Sequence, residues 1–132
     1  AALLSMRLAR LDKVNARRRH NASLYHELLD PLHVFMPPER KIEHNTWHTF
    51  VIQIERREAL KAWLAEKGIE TAVHYPVPLH LQPAAIELGY REGDMPETER
   101  QAARILTLPV NQFLKDEDIE FVANAVNRFF AA

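Results

Sequence analysis

The chain has 132 residues, of which 47% are hydrophobic and 27% are charged, so we expect one globular domain and exclude a disordered or fibrous chain. Its 17 basic and 18 acidic residues give a formal net charge of −1, which provides no overall basic field for nucleic acid or an anionic membrane. The chain has no cysteine, signal peptide or apolar run of membrane-spanning length, so we expect a cytoplasmic protein without disulfides or cysteine-ligated zinc.

The opening residues predict one long helix over 2–30. Apolar residues recur there at helical spacing, and the helix ends before Pro31 because the residue preceding a proline is displaced from the helical region. At 1.5 Å per residue the helix is roughly 40 Å long, more than a small domain needs. The leucines on its first face are Leu4, Leu8 and Leu11.

The start of the chain suggests a larger parent protein. Residue 1 is alanine, and no capping residue precedes the helical pattern. We therefore expect a piece of a longer chain whose N-terminal part has been removed.

A basic run at residues 17–20 (RRRH) lies inside this helix. It is typical of a solvated helix face, and a phosphate contact is the alternative. Because the net charge of the chain is near zero, we favour the solvated face.

Alternation of apolar residues predicts a strand over 47–54, followed by a helix over 57–67 that Gly68 ends. A second strand is predicted over 69–74. Strand, helix and strand together are the nucleus of a small layered domain.

The second half of the chain predicts three helices and one more strand. Asp94 is expected to cap the second of these helices. The fold class is therefore α/β (α+β), a short few-stranded sheet with helices packed on one face and a long N-terminal helix. The predicted helices cover 84–88 and 96–105, the last helix is expected to be capped by Asp116, and the strand covers 106–110.

The segment 74–80 (HYPVPLH) is the best candidate for a functional loop. Its two prolines exclude a helix and favour a rigid extended loop, which brings His74, Tyr75 and His80 close together. A packing turn with exposed histidines remains an equal alternative. No histidine pair has metal-ligand spacing, and the three glycines are too isolated to form a phosphate-binding loop.

Three blocks, HYPVPLHLQ, LGYREGDMPETE and LTLPV, occur in this order along the chain. With them, nearly the whole sequence resembles the C-terminal part of the DegT/DnrJ/EryC1/StrS sugar aminotransferases. The resemblance implies that residues 31–132 are the small C-terminal domain of a homodimeric, fold-type I enzyme that uses pyridoxal phosphate. It also implies that residues 1–30 form the long helix that connects this domain to the large one. Such an enzyme would move an amino group from an amino acid to a nucleotide-linked keto-sugar.

The lysines depart from the family pattern. Family enzymes form a Schiff base through a lysine in a Ser-x-x-Lys context, and no lysine here has that context. The resemblance therefore implies that this chain, on its own, is inactive and binds no pyridoxal phosphate. The lysines are Lys13, Lys41, Lys61, Lys67 and Lys115.

The resemblance also implies that the 74–80 loop lies near the entrance for the nucleotide sugar. His80 is the first candidate for a substrate contact, His74 and Tyr75 are the second, and Arg91 is a candidate for a nucleotide phosphate. Two alternatives stay open: a non-catalytic dimerisation or binding module, and a dehydratase of the same family in which the lysine is replaced.

Overall fold

The computed structural model describes residues 2–40 and 42–131. Within them, helices pack around a small antiparallel sheet, as the predicted class requires. The helices are α1 (Ala2–Leu8), α2 (Leu11–Leu28), α3 (Arg57–Glu66), α4 (Pro83–Ile86), α5 (Pro96–Arg104) and α6 (Asp116–Ala131), and the strands are β1 (Phe50–Gln53) and β2 (Ile105–Leu108). Among these residues, no helix combines the length and hydropathy needed to cross a bilayer.

One face of the sheet forms the centre of the core. Phe50 lies opposite Leu108, and Ile52 lies opposite Leu106. All four side chains are buried, because alternate residues of a strand share one face. Apolar residues of α2, α3 and α6 belong to the same core cluster.

The second half of α2 packs into this core. Ala22, Tyr25 and Leu29 are all at most 2% exposed. The Tyr25 ring lies 4.8 Å from the Phe50 ring, and its hydroxyl donates to the Pro109 carbonyl at 2.8 Å. Burial raises the pKa of Tyr25 above its usual range. The helix is therefore an integral part of the domain core from about its midpoint onward.

The single helix predicted over residues 2–30 is wrong, because a turn at Ala9 and Arg10 divides it into α1 and α2. The Arg10 amide donates to the Arg7 carbonyl, three residues back, and Arg10 has φ −111° and ψ 0°, outside the helical region. No residue of α1 is buried, so packing does not force the two helices to be continuous.

Two of the predicted strands are shorter than expected. The strand over 47–54 is reduced to β1, since Trp47 has a φ of 49° and is not extended. The strand over 69–74 is reduced to one bridge at Ala72. Its first residue, Ile69, instead donates to Leu64 and closes α3, with Gly68 at a φ of 74°.

The basic run at residues 17–20 is not a solvated face. Arg17 donates to the Leu114 carbonyl and pairs with Asp116, whose carboxylate also contacts His20. The His20 ring, followed by the Arg17 guanidinium, lowers the pKa of Asp116. The other two arginines also have partners in the protein: Arg18 donates to Trp47, His48 and Gln112, and Arg19 donates to Glu39 and Asn45.

His26 is a partly buried histidine that packs on two aromatic rings. Its ring lies edge-on to Trp47 and Phe50, at 5.6 and 5.4 Å between centroids. Its Nε2 is buried and has no hydrogen-bond partner among the described residues. Burial lowers the pKa of His26, and the Glu39 carboxylate opposes that shift.

This burial predicts a pH dependence of stability. Below about pH 6.5 the histidine of the unfolded chain binds a proton, whereas His26 in the folded chain stays neutral to a lower pH. The free energy of unfolding should therefore fall as the pH drops. Replacing His26 with phenylalanine should reduce that slope between about pH 7 and 5. Chemical denaturation at several pH values measures the free energy of unfolding and hence this slope. His44→Phe is the control, because His44 is exposed. An unchanged slope in His26→Phe would contradict the assignment.

Candidate functional site

The candidate loop leaves the sheet beside β2. Ala72 and Thr107 exchange two backbone hydrogen bonds, of 2.7 and 3.2 Å. Two residues later, His74 Nδ1 lies 2.9 Å from the Thr107 hydroxyl oxygen. The loop ends in a 3₁₀ turn at Leu79–Leu81, so its base and its far end are both fixed by this chain.

Most side chains of the loop before His80 face solvent. Tyr75 is 74% exposed, Val77 47% and Leu79 80%. The His74 ring is also exposed and packs edge-on against the Tyr75 ring, with 5.6 Å between centroids. An exposed apolar ridge bearing a phenol and an imidazole can contact a ligand or another protein surface.

His80 occupies a different environment, because its side chain is turned into the domain. The residue is only 4% exposed, and its Nε2 lies 2.9 Å from Glu99 Oε1. The Tyr90 ring lies edge-on at 6.4 Å between centroids. The Nδ1 atom of His80 is buried and has no hydrogen-bond partner among the described residues. In this chain His80 is therefore an internal hydrogen-bonding group, whereas His74 and Tyr75 face outward.

Glu99 of α5 joins two loops. Besides His80, its carboxylate accepts the Gly93 amide at 2.9 and 3.0 Å and the Met95 amide at 3.3 Å. The hydrogen bond from His80 is the largest cause that lowers the pKa of Glu99, and the two backbone amides add to it. An ionised carboxylate therefore holds both loops, and these contacts weaken as Glu99 is protonated at low pH.

Arg91 lies in a tight turn that its own backbone closes. The Arg91 amide donates to Asp94 Oδ2 at 2.9 Å, and the Asp94 amide donates to the Arg91 carbonyl at 3.2 Å. The prediction that Asp94 caps the helix is wrong, because the N-cap of α5 is Met95 and Asp94 serves this turn instead. The Arg91 side chain is exposed and can meet an anion.

The structure thus divides the predicted residues into two groups and adds one. His74 and Tyr75 pack together beside β2, and His80 belongs with Glu99. Sequence reasoning missed Glu99, although one signal was present. A glutamate near the start of a helix can reach back to free backbone amides, although Glu99 lies one residue beyond the position that a capping box uses.

The residues of this chain do not fit a pyridoxal phosphate site. Lys13, Lys61 and Lys115 are exposed, and the Lys67 ammonium lies 3.3 Å from the centroid of the Trp63 ring. None of these four is a buried lysine facing an enclosed cavity, which Schiff-base chemistry favours. Lys41 lies outside the described residues. Within residues 2–40 and 42–131, no cluster of three or more histidine and carboxylate groups could hold a metal.

Comparison with known proteins identifies the family. The sequence profile of the DegT/DnrJ/EryC1/StrS aminotransferase family matches residues 1–127. The chain belongs to this family. It is a family of pyridoxal-phosphate-dependent aminotransferases, so the resemblance carried by the three sequence blocks is confirmed.

Two curated relatives show how much of a family member the chain represents. The dTDP-3-amino-3,6-dideoxy-α-D-galactopyranose transaminase of Aneurinibacillus thermoaerophilus is 36% identical over 129 residues, covering 98% of this chain and 35% of the relative. A Geobacillus stearothermophilus protein named "Pleiotropic regulatory protein" is 38% identical over 133 residues, covering 98% of this chain and 36% of the relative. The chain spans about a third of the length of these relatives.

A solved structure shows the same fold. The structure of Streptomyces venezuelae DesV in complex with a ketimine intermediate aligns with a TM-score of 0.92 at 36% identity, over 97% of this chain and 35% of DesV. The prediction of a small α/β domain of the fold-type I sugar aminotransferases is therefore confirmed.

Proposed function

We propose that this chain is the small domain of a pyridoxal-phosphate-dependent aminotransferase acting on a nucleotide-linked keto-sugar in the cytoplasm. The observation that carries the proposal is the family match over residues 1–127, with a dTDP-sugar transaminase among the relatives. The cofactor and its lysine would come from the remaining two thirds of the protein. A homodimer would complete the site, and the chain alone would be inactive.

The candidate loop supports a role on the substrate side of that site. Tyr75 and His74 are exposed on a segment anchored to β2, and Arg91 is exposed on the neighbouring turn. Hydroxyl, imidazole and guanidinium groups suit the hydroxyls and phosphates of a nucleotide sugar. Their role would be binding and orientation, since no covalent catalyst is proposed in this chain.

A non-catalytic binding module is the second candidate. The relative named "Pleiotropic regulatory protein" favours it, because it matches the chain as well as the transaminase does. A dehydratase of the same family is the other enzyme candidate, in which the lysine is replaced. Because that position lies outside this chain, only the product, an amino sugar or a dehydrated sugar, separates the two enzyme candidates.

The test uses the complete protein that carries this chain, supplied with pyridoxal phosphate, a dTDP-linked keto-sugar and L-glutamate. We expect 2-oxoglutarate and an amino sugar in equal amounts. In the same protein, Tyr75→Ala should raise KM for the nucleotide sugar about tenfold, the equivalent of one lost hydrogen bond. His44→Ala is the control, since His44 is exposed and distant in sequence from the loop.

Each result decides between the candidates. A dehydrated sugar without amine transfer would replace the proposal with the dehydratase. No reaction across a panel of keto-sugars would favour the binding module. An unchanged KM in Tyr75→Ala would remove this loop from the sugar site while leaving the activity assigned.

A further inference from the structure

The carboxylate of Glu99 ties the 74–80 loop to the turn bearing Arg91 by hydrogen bonds, beside the edge-on contact between the His80 and Tyr90 rings. On one side it bonds the ring of His80, which ends that loop. On the other side it accepts the backbone amides of Gly93 and Met95. Glu99 is on α5, which leads directly into β2, so this junction rests on the sheet.

The contacts with Glu99 exceed what helix capping requires. A helix cap would use the amide at the N-cap, which here is Met95 at 3.3 Å. The shorter contacts, at 2.9 Å, go to His80 and Gly93 outside the helix. The geometry is thus that of a bridge between loops rather than that of a simple cap.

We propose that Glu99 is a positioning residue of the candidate site, which sets the arrangement of the 74–80 loop relative to the Arg91 turn. This inference rests on the proposed function for its link to the nucleotide sugar. Asp94 closes the turn around Arg91 by hydrogen bonds within the turn itself. The hydrogen bond from the Gly93 amide to Glu99 therefore fixes the position of the turn as a unit. The exposed Tyr75 and Arg91 then keep a fixed relation to each other.

Glu99 also fixes the hydrogen on the His80 ring. Because an ionised carboxylate only accepts, His80 Nε2 must be the nitrogen that carries hydrogen toward it. In the neutral ring, the buried and unpartnered Nδ1 is then the bare nitrogen. A defined tautomer of this kind is a measurable consequence, which helix stabilisation alone would not produce.

The experiment compares Glu99→Gln with Glu97→Gln in the full chain by NMR. Glu97 is on the same first turns of α5, and its ion pair is with Arg100 on the same helix, so it is a matched control. At about pH 8 we expect the ring ¹⁵N shifts of wild-type His80 to show hydrogen on Nε2. In Glu99→Gln the side-chain amide can donate as well as accept, so the His80 ring should show a mixture of tautomers, and hydrogen exchange at the Gly93 amide should speed up about tenfold. Glu97→Gln should change neither.

A second arm uses the complete protein. Glu99→Gln should raise KM for the nucleotide sugar about tenfold with little change in kcat, because only binding geometry is altered. Glu97→Gln should leave both constants unchanged.

The two arms separate the inference from the proposed function. An unchanged His80 tautomer and unchanged Gly93 exchange in Glu99→Gln overturn the bridge, whatever the activity. Altered NMR signals with an unchanged KM overturn the positioning role. Altered NMR signals in a protein without amine transfer leave the bridge standing and overturn the proposed function instead.

Discussion

Replacing Tyr25 with alanine should lower the free energy of unfolding by about 4 kcal/mol, a large share of the stability of a domain of this size. The side chain is fully buried, and its ring packs 4.8 Å from Phe50. Its removal would leave a cavity between α2 and the sheet. It would also leave the Pro109 carbonyl without the hydroxyl that donates to it at 2.8 Å.

Two further variants separate these contributions. Tyr25→Phe keeps the ring and removes only the hydroxyl, so it should cost about 1 kcal/mol. Tyr75→Ala removes the same side chain from a position that is 74% exposed, and should change the free energy of unfolding by less than about 0.5 kcal/mol. Urea denaturation followed by circular dichroism measures all three. Equal losses for Tyr25→Ala and Tyr75→Ala would contradict the packing described for α2.

The helices that bury one face could be predicted from the sequence. The spacing of apolar residues gives α3 within one residue and the buried face of α6, because Leu60 and Leu64 in α3 and Ile119 and Val126 in α6 are all buried. Asp116 is the first residue of α6 and not the cap that was predicted. A different signal, the proline in its first turn, places α5 within one residue of its observed end.

The limits of the strands could not be predicted, since they depend on tertiary contacts. The alternation of apolar residues extends to Trp47, yet the backbone of Trp47 is not extended. Its carbonyl accepts a hydrogen bond from Arg18 of α2 instead of pairing in the sheet. Likewise Ile69 continues an apolar pattern but serves the end of α3. In both cases a partner distant in sequence, or a helix terminus, overrides the local preference.

The candidate site was predicted in part. Its rigid loop follows from two prolines, a local property of the sequence. The sequence does not predict that His74 faces outward and His80 inward, because the position of His80 depends on Glu99, 19 residues later in the chain. No spacing rule in the chain pairs a histidine at the end of one loop with a glutamate on a later helix.

Replacing Arg18 with methionine should lower the free energy of unfolding by about 2 kcal/mol. Methionine keeps the apolar stem of the side chain but removes the guanidinium. That group donates to the carbonyls of Trp47 and His48 at 3.1 and 2.8 Å and to the side-chain oxygen of Gln112 at 3.2 Å. It therefore joins α2 to the chain entering β1 and to the chain leaving β2.

Arg128→Met is the control, because Arg128 is an exposed arginine near the end of α6 without a side-chain partner among the described residues. It should be close to neutral by urea denaturation. Added phosphate separates the structural role of residues 17–20 from the alternative of a phosphate contact. Since Arg17, Arg18 and Arg19 all donate to oxygen atoms of the protein, phosphate should stabilise the wild type no more than Arg18→Met. A larger stabilisation of the wild type would show that the run binds anions.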